Sequence, residues 1–469
     1  MLELTGKYTT AKIYAETMEE GVYSQIYDII NCRAFKDQKV CLMPDTHVGK
    51  SGPIGLVATI GDWVNPDHVG VDIGCTVSLI ELDKPVPEDK YAEFEHKVKN
   101  AIPTGFNIHP KVVIDEKEFY KFLTKGFNKY RNYWPEMLGD LPDQVTEKWV
   151  MDQLKRLNMD AGVFYKSLGT LGGGNHYLEY GEGIENRIGY DFETTGMPSD
   201  FPEETPDVSA IVEYTVPHYG FSIHCGSRNF GVKVCNYWEN KSMTAMSKAE
   251  GKEWTNWFKA NWEKQGKKFD KDFKAALNEF LEEKKSHHIN GYLTGEFMKG
   301  YLCDMCFAQL YAAFNHQTIQ KRVKDILHKY GIKEKETITS THNFIDLHDH
   351  VLRKSAIRAY DGEKMLVPFN MRDGVAICEG KSNPEWLNSC AHGAGRKMSR
   401  SKAKANISME EFTKSMEGIY STTVCKATLD ESPMAYKDTT EIKDLIKETC
   451  DILYMLAPKI NIKAADGGD

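Results

Sequence analysis

The chain has 469 residues, 41% of them hydrophobic, with 59 Lys and Arg against 68 Asp and Glu and a formal net charge of −9. This is enough apolar material for a large core, and length alone allows roughly two to four domains. The acidic balance excludes a uniformly basic nucleic-acid binder, though not a local basic groove, and the lack of any run of about 18 apolar residues excludes a transmembrane helix.

Residues 1–12 show no apolar signal-peptide core. The eleven cysteines are scattered and match no disulfide framework. They fit a reducing compartment, so a cytoplasmic location is expected. Met18 to Cys32 carries Val22, Ile26, Ile29 and Ile30 at helical spacing and predicts an amphipathic helix. Lys39 to Met43 predicts a short strand. It runs into a Pro- and Gly-rich segment bearing Asp45, His47 and Lys50, the kind of loop that often carries chemistry. Ile54 to Ile60 is the next strand.

Gly70-Val71-Asp72-Ile73-Gly74-Cys75 then leads into the apolar strand Val77 to Leu82. In an extended chain Asp72 and Cys75 would face opposite ways. A tight turn at Gly74 brings them together, because glycine accepts backbone angles other residues avoid. A carboxylate beside a thiolate suits Mn, Zn or Fe. Alone the pair defines no site, since a buried Cys is usually a small hydrophobe and a turn Asp usually bonds its own backbone.

Glu88 to Ala101, Glu116 to Tyr130 and Val145 to Leu157 predict helices. In Lys166 to Tyr180, Gly172-Gly173-Gly174 leads to Asn175, His176 and Glu179. Gly-rich loops can approach a phosphate. No Lys-Ser/Thr follows, so this is not a P-loop, and a bulged strand start with a core histidine is the plain alternative. Glu185 to Ser209, rich in acids, Pro and Gly, predicts an exposed loop or insertion. Phe221 to Cys225 predicts a strand with Ser222 and His224 on one face, followed by a turn whose Ser227, Arg228 and Asn229 suit an anion. Ser247 to Lys285 predicts a solvated helical insertion with Trp254, Trp257, Phe258 and Trp262 as its inner stripe. Tyr292 to Tyr330 predicts a long helix whose Cys303 and Cys306 are core residues rather than zinc ligands.

Thr337 to Asp346 places His342 and Asn343 just after a β-like run, and Val351 to Ala359 carries Arg353, Lys354 and Arg358. Lys364 to Gly380 predicts two short strands around Met371 to Gly374. His392 sits at a glycine-bordered turn that opens a basic helix with Arg396, Lys397, Arg400, Lys402 and Lys404. A helix N-terminus beside Arg and an unencumbered His suits phosphate. Asp430 to Asp438 is turn-like, Ile442 to Leu456 predicts a helix, and Pro458 to Lys463 a last strand. No repeat or linker divides the chain, which fits one domain with a site built from many loops.

Taken in order, MPDTHVGKSGPIG, VGVDIGC, LGTLGGGNHYLE, HCGSRNFG, HNF, RKSAIRA, AHGAGRKMSR and ESPMAYKD resemble the RtcB family of RNA ligases, from about residue 39 to residue 463. The resemblance implies an α+β fold in a single large domain over residues 1–469, with central mixed or antiparallel sheets flanked by helices and insertions at 185–209 and 247–285. It implies a GTP- and Mn²⁺-dependent ligase joining RNA ends with a 2′,3′-cyclic phosphate or 3′-phosphate to 5′-hydroxyl ends. Cys75 would bridge two Mn²⁺ ions, one also held by His224 and His342, the other by Asp72 and His176. His392 would be the nucleophile and carry a guanylate.

Asn175, Glu179, Asn343, Asn370, Gly395, Arg396, Tyr436 and Lys463 would hold the nucleotide with His392. Asp45 and His47 would line the metals, and Arg228 and the basic helix would hold RNA phosphates. The chain departs from the family pattern at Thr76, Ser355 (both glycine), His316 (arginine), Ile357 (threonine) and Val375 (a serine that contacts guanine). A monomer is expected, with no protein activator named by the sequence. The competing readings are a dinuclear metallo-phosphoesterase acting on RNA ends and a non-catalytic RNA-end-binding protein. A hydrolase has no use for a nucleotidyl histidine, so His392 discriminates.

Overall fold

Strands with alternating faces build two large sheets. The computed structural model describes residues 1–190, 211–266, 268–269, 271–286 and 291–465. The first sheet contains β1 (Leu2–Thr5), β2 (Thr10–Ile13), β3 (Val40–His47), β4 (Ile54–Thr59), β9 (Phe344–Asp346) and β10 (Val351–Lys354), in the order β1-β2-β3-β4-β10-β9. Its one parallel pair is β2–β3. The second holds β5 (Thr76–Leu82), β6 (Tyr177–Tyr190), β7 (Ile211–Cys225), β8 (Glu334–Thr341), β12 (Lys364–Pro368), β13 (Val375–Gly380) and β15 (Cys450–Ile462). Their order is β12-β13-β15-β6-β7-β5-β8, with every pair antiparallel. The sheet curls until its edges meet, and Leu366 N–H on β12 donates to Ser340 Oγ on β8 at 2.9 Å. β11 (Ala356–Arg358) pairs with β14 (Ser389–Ala391). With helices flanking the sheets, this is the mixed α+β class expected.

The second sheet decides where the chemistry lies. Leu178, Tyr180, Phe221, Ile223, Ile460 and Ile462 enter a core shared with Phe94, Val98, Ile319 and Val323 from helices Tyr91–Ala101 and Gly295–His328. Side chains alternate along a strand, so Tyr177, Glu179, Ser222, His224 and Asn461 share the opposite face, paired across β6, β7 and β15. Helix Gly295–His328 is buried on most of its surface, as befits an element inside the core. Its Cys306 is fully buried and Cys303 packs on the same core, as expected.

Arg353, fully buried on β10, ties three segments together. Its guanidinium donates to Asp346 Oδ2 at 3.2 Å, Asp349 Oδ2 at 2.7 Å, Ser389 Oγ at 2.9 Å and Leu387 O at 3.2 Å. Arg353→Met leaves Asp349 without its cation and Asp346 with only Arg358 at 3.7 Å. It should destabilise the fold by about 3–5 kcal/mol, read by urea unfolding; a loss below about 1 kcal/mol would show the network to be dispensable.

Four sequence expectations change. Residues 185–190 are not loop: β6 and β7 stay in register from Tyr177↔His224 to Tyr190↔Ile211. Glu185 Oε2 lies 2.8 Å from His218 Nε2 across the hairpin and 2.8 Å from Arg187 Nη2 on its own strand. Residues 191–210 lie outside the described residues. Ser227-Arg228-Asn229 is not a free turn but the start of helix Arg228–Lys264, so the expected insertion is the outer part of that helix plus helix Lys271–Ser286. The aromatic stripe does close the two, for example Phe258 on Phe280 with centroids 4.9 Å apart. Cys450 to Leu456 is strand, not helix: the helix ends at Ile446, and pairing with β13 overrides local propensity. The basic helix after His392 begins only at Arg400 and is short, Arg400–Asn406, so His392 sits in a loop rather than at a helix N-terminus.

Candidate metal centre and nucleotide cavity

The candidate metal ligands lie at one end of the second sheet. Cys75 immediately precedes β5, His176 precedes β6, His224 is the second-last residue of β7, and His342 follows β8. Thr76 pairs with both Cys225 and Thr341, and Tyr177 pairs with His224, so the four flanking side chains become neighbours. The turn expected at Gly74 is present, with φ 70° and the Cys75 N–H donating to Asp72 O at 3.2 Å. A Cβ on Gly74 would lie 2.9 Å from Gln309 Cα, so both the angle and the space require glycine.

Asp72 Oδ2 lies 2.8 Å from His176 Nε2, which is 3.4 Å from Cys75 Sγ. His224 Nε2 and His342 Nε2 are 3.3 Å apart. Two donor groups result, Asp72-Cys75-His176 and Cys75-His224-His342, each with all its ligand atoms within 4.8 Å, and Cys75 belongs to both. Burial, then the neighbouring histidines, push the His224 and His342 pKa values well down, so both rings are neutral and able to ligate. Burial and then Asp72 push the Cys75 thiol well up. Burial alone would raise Asp72, but His176 outweighs it and holds the carboxyl far below the usual range. A thiol this high needs a cation to become a thiolate, and thiolate, imidazole and carboxylate together fit two transition-metal ions sharing one sulfur.

A cavity of about 510 Å³ opens beside these donors. His224 and His392 line it, as do Asn175, Glu179, Asn370, Gly395, Arg396, Tyr436 and Lys463 of the expected nucleotide residues. The His392 ring packs on His342 with centroids 4.6 Å apart. It is not unencumbered: His392 Nδ1 lies 2.9 Å from Asp45 Oδ2, and Asp45 is fully buried with Oδ1 unpartnered. Gly395, at φ 71°, lets the His392 loop press onto that carboxylate's backbone, since a Cβ there would meet Asp45 O at 2.2 Å.

Two expected residues point elsewhere. Asn343 does not line the cavity. Its Nδ2 donates to Asp72 O at 3.2 Å and its Oδ1 accepts from Ser355 N–H at 2.8 Å, bracing the metal turn. Arg228 is committed to Thr170 Oγ1 at 3.0 Å and to Gly105 O. The departures also have physical places. Ser355 is left-handed at φ 51°, where glycine would be unstrained, and its hydroxyl reaches Asn343 Oδ1 at 3.3 Å. His316 Nε2 lies 2.7 Å from Cys225 O, Thr76 Oγ1 donates to Gly74 O at 3.0 Å, and Ile357 and Val375 are buried in apolar clusters.

Sequence reading passed over three site residues: Glu431, Asn461 and Tyr177. Arg396, Arg400 and Lys463 converge on buried Glu431 at 3.2, 3.8 and 3.4 Å, and Tyr436 O–H donates to it at 2.5 Å. Burial would raise Glu431, but those cations, Lys463 first, pull it down to about 2. Lys404 pairs with Asp430 at 3.3 Å, so the basic run is partly neutralised from within. Glu179 is pushed up to about 8 by burial, against the Asn461 amide that donates to its Oε2 at 2.7 Å. Alternation with Lys463 along INIK was the available signal for Asn461. A second cavity of about 450 Å³ shares Asn370 and Tyr436 with the first and is lined by Lys397, Lys437 and Lys443.

A Cys-centred donor set at the foot of a nucleotide-sized cavity, with a carboxylate-held histidine between them, marks the chain as a candidate metal-dependent enzyme acting at phosphorus. A family model described as tRNA-splicing ligase RtcB matches residues 25–464, and the chain belongs to the RtcB family. It is 25% identical to RNA-splicing ligase RtcB of Escherichia coli (strain K12), covering 90% of each chain. It is 23% identical to tRNA-splicing ligase RtcB of Methanococcus maripaludis, over 96% of this chain and 92% of that one. It is 27% identical to RNA-splicing ligase RtcB homolog 1 of Entamoeba histolytica, over 91% of this chain and 80% of that one.

Proposed function

We propose that the protein is a GTP- and Mn²⁺-dependent RNA ligase joining 2′,3′-cyclic phosphate or 3′-phosphate ends to 5′-hydroxyl ends. The observation that carries this is His392, held by Asp45 where the cavity meets the candidate metal ligands. Asp45 accepts the Nδ1 proton, which leaves the Nε2 lone pair free to attack. Nε2 bonds to the α-phosphorus of GTP, the bond to the bridging oxygen breaks, and pyrophosphate leaves. A 2′,3′-cyclic phosphate end is first opened by water, which breaks the P–O2′ bond and leaves a 2′-hydroxyl and a 3′-phosphate; an oxygen of the RNA 3′-phosphate then takes the guanylate and returns His392. The 5′-hydroxyl attacks the activated RNA phosphate, loses its proton, and GMP departs.

Two Mn²⁺ ions, on Asp72-Cys75-His176 and Cys75-His224-His342, would supply Lewis-acid charge at the phosphate oxygens. Asn175 and Lys463 offer N–H donors to the nucleotide, while Arg396, bonded to Met398 O, Glu431 and Asp430 O, stands over the Tyr436 ring at 5.2 Å and lends the cavity wall its charge. Asn343 serves the site by holding the Asp72 turn. Lys402, with Lys397 and Lys443 of the second cavity, suits RNA phosphates, which makes RNA binding salt-dependent, while buried Lys437 is bonded to Thr17 O and Pro44 O. The His392–Asp45 pair favours ligation over phosphate hydrolysis, which needs no such nucleophile.

The test is to incubate a 3′-phosphate or cyclic-phosphate RNA with a 5′-hydroxyl RNA, GTP and Mn²⁺. A joined product that requires GTP is expected. Loss of the terminal phosphate without joining would overturn the ligase reading in favour of a phosphoesterase.

A further inference from the structure

The cavity wall holds a buried acceptor with nothing to accept. Asn461 is 1% exposed, yet its Oδ1 has no hydrogen-bond partner. Nδ2 donates to Glu179 Oε2 at 2.7 Å, and against the ionised carboxylate a turned amide would set oxygen against oxygen. Asn461 and Glu179 face each other directly across β15 and β6. Tyr177, two residues before Glu179 on the same face, lines the same cavity. An unmade bond at a buried polar atom costs free energy that an arriving N–H would recover. With Glu179 ionised, a form that an arriving N–H favours, the wall offers two adjacent acceptors, the Glu179 carboxylate and Asn461 Oδ1.

We propose that Asn461 is a specificity-determining residue for the nucleotide base, its Oδ1 accepting from the 2-amino group of a guanine while the Glu179 carboxylate accepts from N1–H. The inference rests on the GTP-dependent reading above and adds a residue that selects its base. Guanine places two donors side by side on that edge. Adenine places an acceptor, N1, beside its 6-amino donor, so one wall acceptor would face another acceptor. Hypoxanthine keeps N1–H and lacks the 2-amino group, which makes inosine triphosphate the probe for Asn461.

The test is calorimetric binding of GTP, ITP and ATP to the full-length chain and to Asn461→Val, without any turnover. The wild-type chain should bind GTP roughly 3- to 10-fold more tightly than ITP, the worth of one such hydrogen bond, and ATP more weakly still. In Asn461→Val the GTP and ITP constants should converge, both weakened by loss of the amide that donates to Glu179. Equal affinities for GTP and ITP in the wild-type chain would overturn the inference, whether or not the variant folds. So would an Asn461→Val chain that keeps the wild-type ratio. Binding without discrimination removes only this role for Asn461, whereas a wild-type chain that binds none of the three overturns both it and the nucleotide-dependent ligase reading.

Discussion

His392→Ala abolishes covalent labelling by α-labelled GTP in the presence of Mn²⁺. The wild-type label should be acid-labile and alkali-stable, the behaviour of a phosphoramidate, because protonation turns imidazole into a leaving group. Removing a nucleophile that forms a covalent bond costs on the order of 10⁴-fold or more. The neighbouring carboxylate gives a graded companion. Asp45 is buried and lies 2.9 Å from His392 Nδ1. Asp45→Asn keeps the shape but no longer stabilises the tautomer with Nε2 free, and it should slow labelling by about 10²- to 10⁴-fold. A label that survives His392→Ala would place the chemistry on another residue and remove the basis for ligation by this route.

Cys75→Ala should empty both metal positions, whereas His342→Ala should empty one. Cys75 Sγ is the only donor common to the two groups. Without it each position keeps two protein donors, too few to hold a borderline cation against water. Metal content per folded chain, read by mass spectrometry after desalting, should fall from two Mn²⁺ to none in Cys75→Ala and to one in His342→Ala. Two retained ions in Cys75→Ala would refute the shared sulfur. The pH dependence follows from the thiol. Burial raises Cys75 while it lowers His224 and His342, so at neutral pH the proton that metal displaces is the thiol's. Affinity should therefore rise about tenfold per pH unit below the thiol pKa and fall as the solution is acidified.

How far the site was legible depended on the range of the contact. Gly74 announces a tight turn from its own neighbours, and the turn brings Asp72 and Cys75 together as expected. His176, His224 and His342 sit at strand starts and ends that hydrophobic alternation marks. Lys463, Asn461 and Glu179 share a face because period two puts them there, though only the pairing of β15 with β6 shows that Asn461 meets Glu179. The union of Arg396, Arg400 and Lys463 on Glu431 could not be read locally, because a run of cations does not reveal which distant acid it folds onto. The same limit explains Asn343, whose partner Asp72 lies 271 positions away. Cys450 to Leu456 misled for a related reason: its spacing suits a helix, and β13 decides the matter.

The most direct measurement is anomalous diffraction at the manganese edge from crystals grown with Mn²⁺. The account predicts two peaks that flank Cys75 Sγ, one within bonding reach of Asp72 and His176, the other of His224 and His342. A single peak, or a pair remote from that sulfur, would contradict it.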